Sequence, residues 1–328
     1  MSIPHSVSEA VAVLPAHPLE LDPRPLGLER IVVPTALGPV VVHRSRVRAS
    51  SGATILLHGA AGSWTTWTPL LEAAGVGRMT DLVIPDLPGW GGSPGPVSGV
   101  GGIDAASLAD VVAAVSHACG YDRWRLVGHS LGGFVALELA AQRPEATSEV
   151  LLVSATTLGA RGDQLGWGRA WLAYPALFAL LFGMRLLAVL GPTASALLGI
   201  VNRAGLLRPL VSPLFARRRR VDTSVIDALA VEARPAAFVR ALQCARRYDA
   251  AGRWARIVCP VRAVHGDRDV FTGPDDDSRL RMIIPRFSAA TLPATGHFGH
   301  IERPALVLAA LGLCCPMPTA DAYVRGRR

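Results

Sequence analysis

LVGHSLGGFVALELAAQ, residues 126–142, is the stretch from which the rest of the chain can be placed. A short apolar run from Trp124 to Val127 stops at Gly128. His129, Ser130, Leu131, Gly132 and Gly133 follow, and after them comes a helix former at almost every position. That order reads as strand, sharp turn, helix. Residues 128–132 fit G-x-S-x-G, a serine raised on a strained strand-to-helix turn. The glycines there have a steric reason: without a Cβ, strand and helix can close up and leave the serine hydroxyl pointing outward. The helix aims its positive end at the turn, where negative charge develops during acyl transfer. The pattern alone recurs by chance in a chain with 33 glycines, and the strand before it and the helix after it are what give it weight.

The 328 residues leave room for one large α/β domain with an insertion, or for two domains, and half of them are hydrophobic, enough for a sizeable core. The net charge is +8 and every one of the 33 basic residues is arginine. Without lysine, Schiff-base chemistry and a lysine nucleophile are excluded. A basic balance suits nucleic acid or an anionic surface, but no DNA- or RNA-binding motif is present, so no nucleic-acid partner is expected. The cysteines are Cys119, Cys244, Cys259, Cys314 and Cys315. Their odd number and the lack of C-x-x-C spacing argue against a disulfide framework or a zinc site and suit a reducing compartment. The first 26 residues contain five prolines and two histidines but no charged leader or long apolar region. They read as a loose extension rather than a signal peptide, and the expected location is cytoplasmic.

Taken in order, residues 28–34 (LERIVVP) and 40–48 (VVVHRSRVR) read as two strands of a hairpin at a sheet edge. Residues 53–58 (ATILLH) and 81–86 (DLVIPD) are apolar runs of the kind buried on both faces of a parallel sheet. The first ends in His58-Gly59-Ala60-Ala61-Gly62 and the second in Asp86-Leu87-Pro88-Gly89-Trp90-Gly91-Gly92-Ser93. A glycine-rich stretch, 94–102, precedes a helix over 103–120, with Asp104 as its N-cap and Gly120 beyond its C-terminus. After residues 126–142, the run 149–154 (EVLLVS) is a further strand. Strands alternating with helices predict a parallel sheet covered by helices on both faces. The rhythm breaks at about Thr156 and returns at 260–265 (PVRAVH), followed by a helix over 278–284, a strand over 287–292 and a helix over 302–313. The expected organisation is an extension (1–26), an α/β core (27–155 and 254–314), an inserted helical cap (156–253) and a tail (315–328).

Within the cap, residues 170–201 are apolar enough to raise a membrane-spanning helix, since about 20 apolar residues suffice. Arg185, Pro175 and the Gly191-Pro192 break argue instead for cap helices with apolar faces, with peripheral membrane contact as the alternative. The arginine run 217–220 reads as a solvated helix end or a lipid-phosphate patch.

A serine hydroxyl is a weak nucleophile at neutral pH and needs a base, usually a histidine oriented by a carboxylate. Asp269, in the loop after 260–265, and His297, in the loop after 287–292, stand where such groups would be supplied. Asp267 and His300 are their rivals in the same two loops. Taken together, four blocks in this order resemble the α/β-hydrolase superfamily, in its cap-bearing branch of esterases, C–C bond hydrolases and haloperoxidases. They are the 58–62 loop, the 86–93 turn, the 128–132 elbow, and the pair Gly266-Asp267-Arg268-Asp269 and Gly296-His297.

The resemblance implies an α/β fold with Ser130 as nucleophile, His297 as base and Asp269 as its orienting acid. The family's G-x-x-D spacing and Gly-His pairing favour Asp269 over Asp267 and His297 over His300. It also implies an oxyanion hole from the backbone N–H groups of Ala60 and Leu131, and no metal or organic cofactor. Epoxide and haloalkane hydrolases of this superfamily need a carboxylate where Ser130 stands. His58 and Asp86 read as structural, His129 as pocket or packing, and Trp64, Trp67 and Trp90 as core or pocket wall. The function that follows is hydrolysis of a small-molecule apolar ester or related acyl bond. The alternatives are C–C bond hydrolysis, with Arg185, Arg203 or Arg240 holding a substrate carboxylate, and a non-hydrolytic ligand-binding role. No feature of the sequence sets an oligomeric state.

Overall fold

A computed structural model describes residues 17–95, 104–158, 175–191, 193–246, 248–273 and 275–313, with only the backbone at 175–178 and 242–246. Most of the extension, most of the glycine-rich stretch, the front of the apolar run and the tail lie outside the described residues. The strands are β1 (Leu28–Thr35), β2 (Gly38–Ser45), β3 (Gly52–Leu57), β4 (Leu82–Pro85), β5 (Arg123–His129), β6 (Thr147–Val153), β7 (Val261–Gly266) and β8 (Phe287–Leu292). They form one sheet in the order β1-β2-β4-β3-β5-β6-β7-β8. β1 and β2 are an antiparallel hairpin, β2 pairs antiparallel with β4, and every later pairing is parallel.

The unbroken apolar runs follow from burial on both faces. Ile55, Leu57 and Leu126 point into one core, while their neighbours Leu56 and Val127 point into another on the opposite face. The first face is covered by α2 (Ala105–Ala118) and α3 (Leu131–Gln142), and the second by α1 (Thr68–Ala74) and a C-terminal helix, Pro304–Leu311. Asp104 caps α2 by accepting from the Ser107 N–H, and the Ser107 hydroxyl closes the reciprocal half of a capping box. α1 carries no sequence signal of its own: it is seven residues long and follows a 3-10 turn, Trp64–Trp67. The single helix expected over 302–313 is two, Gly299–Glu302 and Pro304–Leu311. Arg303 takes a non-helical backbone between them, and Pro304, lacking an N–H, starts the second at the position where that donor has no helical acceptor.

Between β6 and β7 the described residues form helices and 3-10 turns and no strand. The helices are α4 (Pro175–Val189), α5 (Thr193–Arg203), α6 (Leu207–Val211), α7 (Thr223–Glu232), α8 (Pro235–Arg246) and α9 (Ala250–Trp254). They are followed by α10 (Asp276–Ile283), α11 (Gly299–Glu302) and α12 (Pro304–Leu311). A third core joins Leu207, Phe215, Val225, Ile226 and Leu229 of this inserted region to Phe298 and Ile301, just beyond β8. Leu19 belongs to it too. Its N–H donates to Ser224 Oγ and that of Glu20 to Thr68 Oγ1, so residues 19 and 20 are tied to both insertion and sheet layer. At the far end, fully buried Glu138 of α3 accepts from Tyr248 and Arg253, pinning the return of the chain to the core.

The parallel sheet has a switch point beside β3, from which the chain goes first to β4 on one side and then to β5 on the other. Crevices at such points, outside the carboxyl ends of the strands, are where ligands bind in open α/β sheets. The loops after β3 and β5 meet there at van der Waals limits. A methyl group on Gly132 would overlap the carbonyl oxygen of Leu57. Gly132→Ala is therefore expected to destabilise the protein by about 3 kcal/mol. Gly183→Ala, in α4 with open space around it, should stabilise it by about 0.5–1 kcal/mol. Denaturant unfolding of the two variants checks the contrast; equal effects would mean that the close approach does not constrain the turn.

Candidate active site

The turn after β5 puts Ser130 at φ 49°, ψ −117°, in the left-handed half of conformational space that a residue with a Cβ seldom occupies. Such strain persists only where the surroundings impose it. Here the Ser130 N–H donates to Val153 O, and Ser130 O accepts from Gly133, Phe134 and Thr156 N–H groups. The Ser130 hydroxyl lies 3.3 Å from Thr156 Oγ1. Leu131 opens α3, so its N–H is among the first-turn donors with no acceptor inside the helix. Across the crevice, a methyl group on Gly59 would sit 2.8 Å from His129 Nδ1 and 2.9 Å from Ser130 Cβ. The 58–62 loop, with Ala60 and the left-handed Ala61, thus lies directly against the serine.

His297 and Asp269 come together from the ends of β8 and β7. Nδ1 of His297 lies 3.0 Å from Asp269 Oδ1 and 3.2 Å from Oδ2. A carboxylate only accepts, so Nδ1 carries the hydrogen and Nε2 presents a lone pair. Asp269 also accepts from the Phe271 N–H and the Thr272 hydroxyl, each at 3.0 Å. Burial pushes the Asp269 carboxyl up, but the His297 ring and the Phe271 N–H prevail and hold it down at about 2. Phe271 stands edge-on to the His297 ring at 4.6 Å. On the other side His129 lies 4.8 Å from His297 and donates from Nε2 to the His297 carbonyl at 3.2 Å, which sets the serine turn beside the histidine loop.

The rivals have other partners. Asp267 accepts from Thr295 N–H at 3.1 Å and braces the loop that carries His297. His300 is fully buried against Trp67 and His129, with both ring nitrogens unpartnered. His58 donates from Nδ1 to Gly59 O and accepts at Nε2 from Leu87 N–H, so its tautomer is fixed and it joins two loops. Asp86 accepts from Trp64 and Gly92 N–H groups at 2.8 Å, with burial raising its carboxyl. Trp64, Trp67 and Trp90 lie in the two cores, and Trp64 stacks on His43 at 4.1 Å.

Further supports carry no local signal. Glu232 of α7 accepts from Gly91 N–H, and Arg234 donates to the Gly89 and Gly91 carbonyls, so the insertion grips the 86–93 turn. Half-buried Glu302 accepts from Gly296 N–H at 2.8 Å and Arg217 N–H at 3.0 Å, while His297 N–H donates to Leu214 O. The histidine loop is therefore hydrogen-bonded along its length to residues 214–217 of the insertion. Thr156, one strand over from Ser130, could have been suspected from its place just beyond the carboxyl end of β6.

The model of the Alpha/beta hydrolase family matches residues 54–310. A relative from Klebsiella pneumoniae (strain 342), named for a carbamate hydrolase, RutD, is 28% identical over 243 residues, 74% of this chain and 81% of its own length. A pimeloyl-acyl-carrier-protein methyl ester esterase from Nitrosospira multiformis is 27% identical over 250 residues, 76% of this chain and 89% of its own. Among solved structures, Cfl2 of Burkholderia cenocepacia superposes with a TM-score of 0.68 at 22% identity, covering 90% of this chain and 99% of that one, a likeness of fold.

The buried histidines give the site a pH dependence. Burial lowers His58 to about 4 and His300 to about 3, and takes His129 well below its ordinary value. Each resists protonation when folded and accepts it at about 6.5 when unfolded. The stability they lend is complete above about pH 6.5 and is lost as pH falls toward their folded values. His300→Phe, with no nitrogen to protonate, should lose roughly 2–3 kcal/mol less stability than the wild type between about pH 7 and pH 4. Chemical denaturation across that range checks this; parallel curves would count against it.

Proposed function

The chain belongs to the alpha/beta hydrolase family and is a hydrolase, and from that premise we propose that it cleaves an apolar ester or related acyl bond through Ser130, His297 and Asp269. The observation that carries this reading is the His297 Nδ1–Asp269 pair at 3.0 Å, set beside a serine on a strained turn. With Nδ1–H given to the carboxylate, Nε2 takes the Ser130 proton as Oγ attacks the acyl carbon. The oxyanion of the tetrahedral intermediate accepts from the Leu131 and Ala60 N–H groups, the first at the positive end of α3. His297 passes the proton to the leaving group, which departs and leaves an acyl-serine. Water, deprotonated by His297, then releases the acid and restores the hydroxyl. Asp269 keeps the imidazolium oriented throughout and stays ionised, as its depressed carboxyl requires.

Two comparisons support an acyl bond. The relatives carry the names of a carbamate hydrolase and a methyl ester esterase, and both bonds break by addition to a carbonyl. The arginines that a carboxylate-bearing C–C substrate would need, Arg185, Arg203 and Arg240, stand exposed on the insertion, which favours the ester reading.

Fluorophosphonate should label the wild type and not Ser130→Ala, and the same variant should lose hydrolysis of short-chain nitrophenyl esters. Asp269→Asn should lower kcat by about 10³–10⁴-fold through the wrong tautomer while KM changes little. Unchanged ester hydrolysis in Ser130→Ala would falsify the assignment.

A further inference from the structure

The outer face of the inserted helices is apolar, basic and uncovered. Among the described residues fifteen large hydrophobic side chains are exposed, and eight of them fall within residues 182–210. On α4, Phe182, Leu186 and Val189 recur at helical spacing, with Phe182 71% and Val189 84% exposed. Ile200 of α5 and Leu206 and Leu210 around α6 extend the surface, Leu210 being 69% exposed. The opposite faces of these helices are occupied: α4 packs on α8, and α5 on α7. An exposed apolar patch of this kind on a folded domain marks an interaction surface.

Charge selects the partner. Between residues 175 and 221 there are seven arginines and no aspartate or glutamate. Arg185 stands exposed within the α4 stripe, and exposed Arg203 follows Ile200 by three positions on α5. Arg208 of α6 donates to the backbone carbonyls of Arg218 and Val221, which ties the 217–220 run to α6. Arg218 and Arg219 are exposed there. No single described helix is long and apolar enough to cross a membrane, and the chain turns by 101° between Thr193–Arg203 and Leu207–Leu214. Short amphipathic helices with arginines at their margins lie in the headgroup plane instead, apolar side chains down and guanidinium groups on lipid phosphates.

We propose that the α4–α6 face docks this protein onto an anionic lipid bilayer. A second copy of the chain fits less well: a two-fold contact through this face would set arginines against arginines with no carboxylate between them. The inference does not rest on the acyl chemistry of the crevice.

Co-sedimentation of the full chain with extruded vesicles tests it, using phosphatidylcholine alone and phosphatidylcholine mixed with phosphatidylglycerol, at low and high salt. The wild type should bind the anionic vesicles, more weakly at high salt. Arg218→Gln with Arg219→Gln should lower the partition coefficient roughly 10- to 30-fold. Leu186→Asp with Ile200→Asp should abolish binding, while circular dichroism and unfolding of both variants match the wild type, all four positions being exposed. A wild type that stays in the supernatant with both vesicle types overturns the proposal, as does equal binding to both. Overturning it too would be a concentration-dependent dimer that the apolar variant dissolves, with no vesicle binding.

Discussion

Everything in the crevice depends on one approach of backbone to backbone. The start of α3 lies so close to the end of β3 that only glycine fits at 132, and Gly59 must in turn make room for His129 and the Ser130 Cβ. Two loops separated by about seventy residues of sequence are thereby locked edge to edge, at the point where the sheet order reverses. The strained backbone of Ser130 is held by that contact and by hydrogen bonds from β6 and its following loop. Loosening the approach would let the serine relax to an ordinary conformation and turn its hydroxyl away from the crevice.

Around this contact the loops are fixed by polar groups removed from water. His58, Asp86 and Glu302 each accept backbone N–H groups from a neighbouring loop, and on Asp86 and Glu302 the burial that disfavours charge outweighs those donors. Neutral, dehydrated imidazoles at 129 and 300 fill the space behind His297, where a charged or mobile group would disturb it.

The core strands were legible because burial on both faces forces unbroken apolar runs, and their ends because glycines and carboxylates follow where the chain turns. Asp269 and His297 could be picked out only with the help of a family's spacing, since composition gave Asp267 and His300 equal standing; in the structure Asp269 meets His297 and Asp267 serves Thr295. What stayed hidden depends on distance along the chain. Glu232 grips Gly91 from 141 positions away, and Leu19 reaches Ser224 across 205. Neither leaves a periodic trace. α1 was hidden for the opposite reason, being too short to establish a period.

The third core has a mechanical meaning. Phe298 and Ile301 are packed into the inserted helices, and Gly296 and His297 are linked to residues 214–217 through Glu302 and Leu214, so the insertion and the histidine loop share one core and one set of hydrogen bonds. A lid that swung on a hinge would drag His297 away from Asp269. Exchanging this insertion for that of another protein would require residues 296–303 to be exchanged with it, so the placement of His297 is tied to the insertion.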